Sequence, residues 1–148
     1  MEEGSAFKFT TVRQNLHYRH QIRYVLTLRQ QPERSRMCGI GEKADRRPID
    51  PPPIIKLEVD DPTLGPNNRS YLHNPYYFMY ATLMNEDASE ELVTLPERQA
   101  RTMTGSIVSS LAHLKDIDGT EGAFFVFPDL SVRCEGVYRL KFSLFEIV

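Results

Sequence analysis

"LSVRCEGVYRLKFSLFEI", residues 130 to 147, holds the alternation that decides the fold. Tyr138, Leu140, Phe142 and Leu144 fall on one side of an extended chain, and Arg139, Lys141 and Ser143 on the other. That period of two marks a strand with one face against a core. Gly136 stands two residues before Tyr138. A glycine there lets the chain turn sharply, and the phenol can bond back to upstream backbone, as in the tyrosine corner of two-sheet sandwiches. An ordinary hairpin with a core tyrosine fits the same letters. Cys134 stands where such a corner usually has an acidic residue, and Leu140 where immunoglobulin domains have a disulfide cysteine.

Further strands appear on working outward. "IRYVLTL" (22 to 28) sets Ile22, Tyr24, Leu26 and Leu28 against Arg23, Val25 and Thr27, and "PIIKLEV" (53 to 59) turns Ile55, Leu57 and Val59 inward. "YYFMYATLM" (76 to 84) is apolar on both faces, which predicts a central strand covered on both sides or set at a subunit contact. Tyr76, Tyr77 and Phe78 are therefore candidate dimer contacts. "SIVSSLAHL" (106 to 114) and "AFFVFPDL" (123 to 130) read as one strand each, while "DDPTLGPNNRS" (60 to 70) is a surface loop. Residues 85 to 105 are polar and mixed, with room for one short strand or helical turn around Leu92. No amphipathic run reaches the length of an ordinary helix. The expected class is all-β, an immunoglobulin-like sandwich with long loops and at most short helices.

A chain of 148 residues is sized for one domain. Residues 1 to 20 read as an N-terminal arm and 21 to 148 as the sandwich. No apolar stretch has the length of a signal peptide or a membrane span. Cys38 and Cys134 lie far apart without metal or disulfide spacing, so a reducing compartment is expected.

Enzyme and cofactor signals fail on context. "GIGEKA" from Gly39 has the letters of a dinucleotide fingerprint, but Pro32 interrupts the approach and "DRRPIDPPP" cannot open a helix. "DIDGTE" (116 to 121) resembles a calcium loop, yet aligning Gly119 with the turn glycine puts Leu114 and Phe125 at ligand positions; it reads as a turn. His17, His20, His73 and His113 share no ligand spacing. The expectation is no enzyme, no metal, no cofactor, no small-molecule substrate and no membrane.

Charge is uneven. Lys8 to Arg47 carries ten Lys and Arg against three acids, whereas Pro51 to Val148 carries eight against fourteen. The basic share concentrates in "RQQPERSRMCGIGEKADRRPIDPPP" (29 to 53), where Arg34, Arg36, Lys43, Arg46 and Arg47 lie among residues that shape a loop. Gly39 and Gly41 permit tight turns; Pro32 and Pro48 limit wandering; Pro51, Pro52 and Pro53 stiffen the exit in an extended form. A held cationic loop suits double-stranded DNA, with phosphates taking the charge and an arginine fork reaching guanine. The competing account is a solvated loop whose arginines pair with Glu33, Glu42, Asp45 and Asp50.

Four blocks, "LRQQPERSRMCGIGEKADRRPIDPPPIIKLEV", "NPYYFMYATL", "TGSIVSSLAHLKDIDGTEGAFFVFPDLSV" and "EGVYRLKFSLFEI", together resemble the velvet domain of fungal developmental regulators, most like its VosA and VelC branches. The resemblance covers residues 22 to 148. It implies a sandwich similar to the N-terminal Rel-homology domain, binding DNA as a homodimer or as a heterodimer with another velvet protein. It also implies a nuclear location, with or without shuttling through the cytoplasm, and control of sporulation, spore maturation and secondary metabolism. The family's basic recognition loop maps onto Arg34, Arg36, Lys43, Arg46 and Arg47. Cys38 in that loop is either similar to the redox-sensitive loop cysteine of Rel proteins or a small residue in a turn. A protein-interaction module, heterodimerising while its partner contacts DNA, is the alternative.

Overall fold

The computed structural model describes residues 7–11, 21–35, 48–95 and 100–147. Two four-stranded sheets carry the body. In the first, Phe7–Thr11 (β1), Arg139–Glu146 (β12), Tyr77–Met84 (β4) and Val108–Ser110 (β8) lie in that order. The second runs Arg23–Gln30 (β2), Ile54–Asp60 (β3), Glu121–Val126 (β10) and Ala112–Lys115 (β9). Every pairing in them is antiparallel except β1 on β12, where Phe9 lies opposite Phe142. That parallel strand comes from the segment set apart as an arm. Thr94–Leu95 (β5) pairs with Ala100–Arg101 (β6), and Met103–Gly105 (β7) with Leu130–Val132 (β11). Two short 3-10 turns, Pro62–Leu64 and Ser70–His73, lie between β3 and β4. The all-β class expected from the sequence is the one observed.

The inward residues of both sheets form one core. Ile55, Leu57 and Phe125 from the second sheet meet Met79 and Phe142 from the first, all five with no exposed surface. Phe127 packs on Phe142 with ring centroids 5.4 Å apart, and Tyr24 meets Tyr77 edge to face at 6.2 Å, joining β2 to β4 across the layers. Alternation predicted the inward sets of β2, β3 and β12. Removing these side chains from water is the main stabilising term, roughly 1.5–3 kcal/mol each.

The corner ahead of β12 forms as its spacing predicts. Gly136 adopts a φ of 138°, and the Tyr138 hydroxyl donates to the Glu135 carbonyl. A Cβ on Gly136 would stand 2.9 Å from that hydroxyl oxygen. Gly136→Ala adds both a contact too close and a backbone conformation that L-residues avoid. It is expected to cost ~1–3 kcal/mol, read as a lower urea midpoint with unchanged slope. An unchanged midpoint would mean that the corner is not held by this geometry.

Three expectations need correction. Residues 106 to 114 are not one strand: β8 bonds to β4 in the first sheet and β9 to β10 in the second, with half-buried Leu111 between them. Ser109 Oγ accepts the Val126 amide at 3.2 Å, stitching the crossing to the opposite sheet. Residues 123 to 130 also divide, because β10 stops at Val126 and Pro128, lacking an amide donor, stands before β11. Finally, Tyr77 belongs to the core rather than to an open surface. It is 4% exposed, on the inward phase of β4 with Met79, Ala81 and Leu83, whereas Tyr76 is exposed and Phe78 half-buried on the outer face.

Candidate nucleic-acid interface

The basic segment leaves the body between β2 and β3 through a neck that backbone bonds close. The amides of Glu33 and Arg34 both donate to the Asp50 carbonyl at 3.1 Å, and the Asp50 amide returns a bond to the Arg34 carbonyl at 2.9 Å. Beyond the neck, three successive prolines have no donors to give, so their carbonyls become the anchors. Gln30 Nε2 donates to the Pro52 carbonyl at 2.6 Å, and the Phe127 amide to that of Pro53 at 3.1 Å. Pro53 is fully buried, Pro51 and Pro52 are half-buried, and the Asp50–Pro51 peptide is cis. On the outgoing side Pro32 is half-buried, while Pro48 is exposed beside Ile49. Ile49 sinks into the core at 6% exposure, its amide held 2.6 Å from the Leu130 carbonyl.

Arg34 stands on the neck with its side chain exposed, and it makes no ion pair among the described residues. Arg36, Cys38, Gly39, Gly41, Lys43, Arg46 and Arg47 lie outside the described residues, as does "GIGEKA". The structure therefore gives the neck of the segment and one of the five cations. Sequence reasoning missed the clamps: Gln30, Ile49 and Asp50 bear no local signal, because their partners are 22, 81 and 16 positions away.

Several other cations have structural work. Arg29 and Lys56 converge on Asp116, at 2.7 and 3.0 Å, and the Asp116 carboxylate, 8% exposed, also accepts the Ile117 amide at 2.8 Å. That amide first, then Lys56 and Arg29, hold its pKa down to about 2 from an ordinary 3.8. A carboxylate lowered in the folded state contributes stability above its unfolded pKa and loses it as pH falls through the folded one. Asp116→Asn should therefore lower stability at pH 7 and flatten its decline between pH 4 and 2, followed by acid unfolding. An unaltered acid limb would show that the cluster does not stabilise the fold. This same stretch, 116 to 121, is a β9–β10 turn as expected: Gly119 takes a φ of 88° and Asp118 caps Thr120 at 2.9 Å. Elsewhere Lys141 pairs with Glu91, and Arg139 Nε donates to the Glu86 carbonyl.

No group of three His, Cys, Asp or Glu able to hold a metal occurs among the described residues. On the outer face of the first sheet, Phe78 stacks on Phe145 at 5.2 Å, with exposed Tyr76, Val108 and Ile147 around them. Phe145 was legible as the outward phase of β12, but its aromatic partner was not.

The described part of the site is thus a two-sheet body with the two roots of a basic segment closed by backbone bonds. The chain belongs to the velvet family: the velvet factor family matches residues 24–100 and 94–148. It is 44% identical over 193 aligned positions to "Spore development regulator umv1" of Mycosarcoma maydis, covering 99% of this chain and 24% of that protein. It is 45% identical to "Sexual development regulator VELC" of Pyricularia oryzae, with 84% and 28% covered. With "Developmental and secondary metabolism regulator veA" of Aspergillus flavus the identity is 42%, with 85% and 23% covered. The chain spans about a quarter of the length of these relatives.

Proposed function

We propose that this chain is the DNA-binding part of a regulator of spore development and secondary metabolism, working in the nucleus as a dimer with itself or another velvet protein, by binding rather than catalysis. The observation that carries this reading is the neck. Fixing both roots of a loop bearing Arg34, Arg36, Lys43, Arg46 and Arg47 reduces the entropy lost when those cations meet phosphates. The names of the relatives supply the developmental context. Selection of bound sequences from random duplexes tests it directly. The chain should enrich a defined motif, while a variant with Arg36, Lys43, Arg46 and Arg47 changed to Ser should keep its fold and retain no duplex. Equal retention by the two proteins would overturn the reading.

A second reading has its own observation, the apolar cluster on the first sheet in which exposed Tyr76, Val108 and Ile147 surround half-buried Phe78 and Phe145. That surface fits a module that pairs with another velvet protein and leaves DNA to it. The purified chain would then select no motif until the partner is added.

A further inference from the structure

Beside the neck lies a cleft of about 400 Å³, within the range of small-molecule sites. Its floor is the tightly packed end of the core: Ile49, Leu83, Val132 and Leu140, each at most 7% exposed. One wall is the loop root, Pro32 to Ser35; the other is the tyrosine corner, Cys134 and Gly136 to Arg139. Arg34 on the first wall and Arg139 on the second are both lining residues, and Glu33 beside Arg34 is the acid among them. Arg139 is steadied by the bond from its Nε to the Glu86 carbonyl, and the Tyr138 hydroxyl is committed to Glu135.

We propose that this cleft binds an amphipathic monocarboxylate, its apolar body on the Ile49, Leu83, Val132 and Leu140 floor and its carboxylate between Arg34 and Arg139. Each part of that description follows from the lining. An apolar floor favours a hydrocarbon body over a sugar or a nucleotide. Two guanidinium groups favour an anion, which they hold by charge-assisted bonds. Glu33 on the same rim repels a second negative charge, so a monoanion fits better than a phosphate or a dicarboxylate. The volume, with a water occupying about 30 Å³, admits a ligand of roughly ten to fifteen non-hydrogen atoms. A bound ligand would touch both ends of the loop, since Pro32 to Ser35 form one root and Ile49 the other. It would brace them.

Sodium octanoate and 1-octanol, equal in chain length and different in charge, test the site by titration calorimetry. Octanoate should bind at least tenfold more tightly than octanol. Arg34→Gln, a change at an exposed side chain, should weaken octanoate at least threefold. Arg34→Gln with Arg139→Gln should bring the two ligands to equal affinity while leaving octanol unchanged. Saturating octanoate should also slow amide exchange at Glu33, Arg34 and Asp50. Equal affinity of the unaltered chain for the two ligands, or octanoate binding that survives both arginine changes, would overturn the assignment. Neither result bears on duplex binding, which is measured without ligand.

Discussion

Raising monovalent salt from 50 to 200 mM is expected to weaken duplex binding by this chain about 500-fold per subunit. Five cations that each neutralise one phosphate release condensed counterions, giving a slope of about -4.5 for log K against log salt. Arg34 is the sharpest single probe, because it stands exposed on the neck and the bonds there are made by its backbone, which substitution leaves in place. Arg34→Ala should flatten the slope by about one if the residue meets a phosphate. If it reads a guanine instead, the slope stays and one base position loses ~1–3 kcal/mol of discrimination. Arg29→Ala should leave the slope alone, since that guanidinium is bound to Asp116. A slope near zero for the unaltered chain would remove the electrostatic basis of the proposed function.

The second large effect is on stability. Phe142 has no exposed surface, sits on a strand with neighbours on both sides, and packs against Phe127 from the opposite layer. Phe142→Ala should cost ~3–5 kcal/mol, the lost transfer energy plus the cavity left behind. For a domain of this size, Tm should fall by roughly 10–20 °C, read by calorimetry. Phe145→Ala, three residues along on the outer face, should cost well under half as much, because that ring is only partly buried. Equal costs at the two positions would contradict the assigned inward phase of β12.

That phase was legible in the sequence because Arg139, Lys141 and Ser143 interrupt the apolar residues of β12. In β4 the stretch from Tyr76 to Ala81 offers no charged residue to mark a face, so the letters did not separate Tyr77 from Phe78. Register settles it. Phe142 lies opposite Ala81 and Leu140 opposite Leu83, which commits Tyr77 to the core. The division of residues 106 to 114 between two sheets was illegible for a related reason: alternation reports which side chains face inward, not which neighbour takes the backbone bonds. Gly136 and Tyr138 were legible because a turn and its tie are local. By contrast, the Asp116 cluster draws Arg29 from 87 positions away and Lys56 from 60, separations at which sequence carries no mark of contact. The candidate site follows the same rule: its composition was readable, and its closure through Gln30, Ile49 and Asp50 was not.

The neck leaves one more consequence. Because the chain is tied to the sheets at Arg34, Asp50, Pro52 and Pro53 through amide and carbonyl groups, those ties survive exchange of the Arg34 and Asp50 side chains.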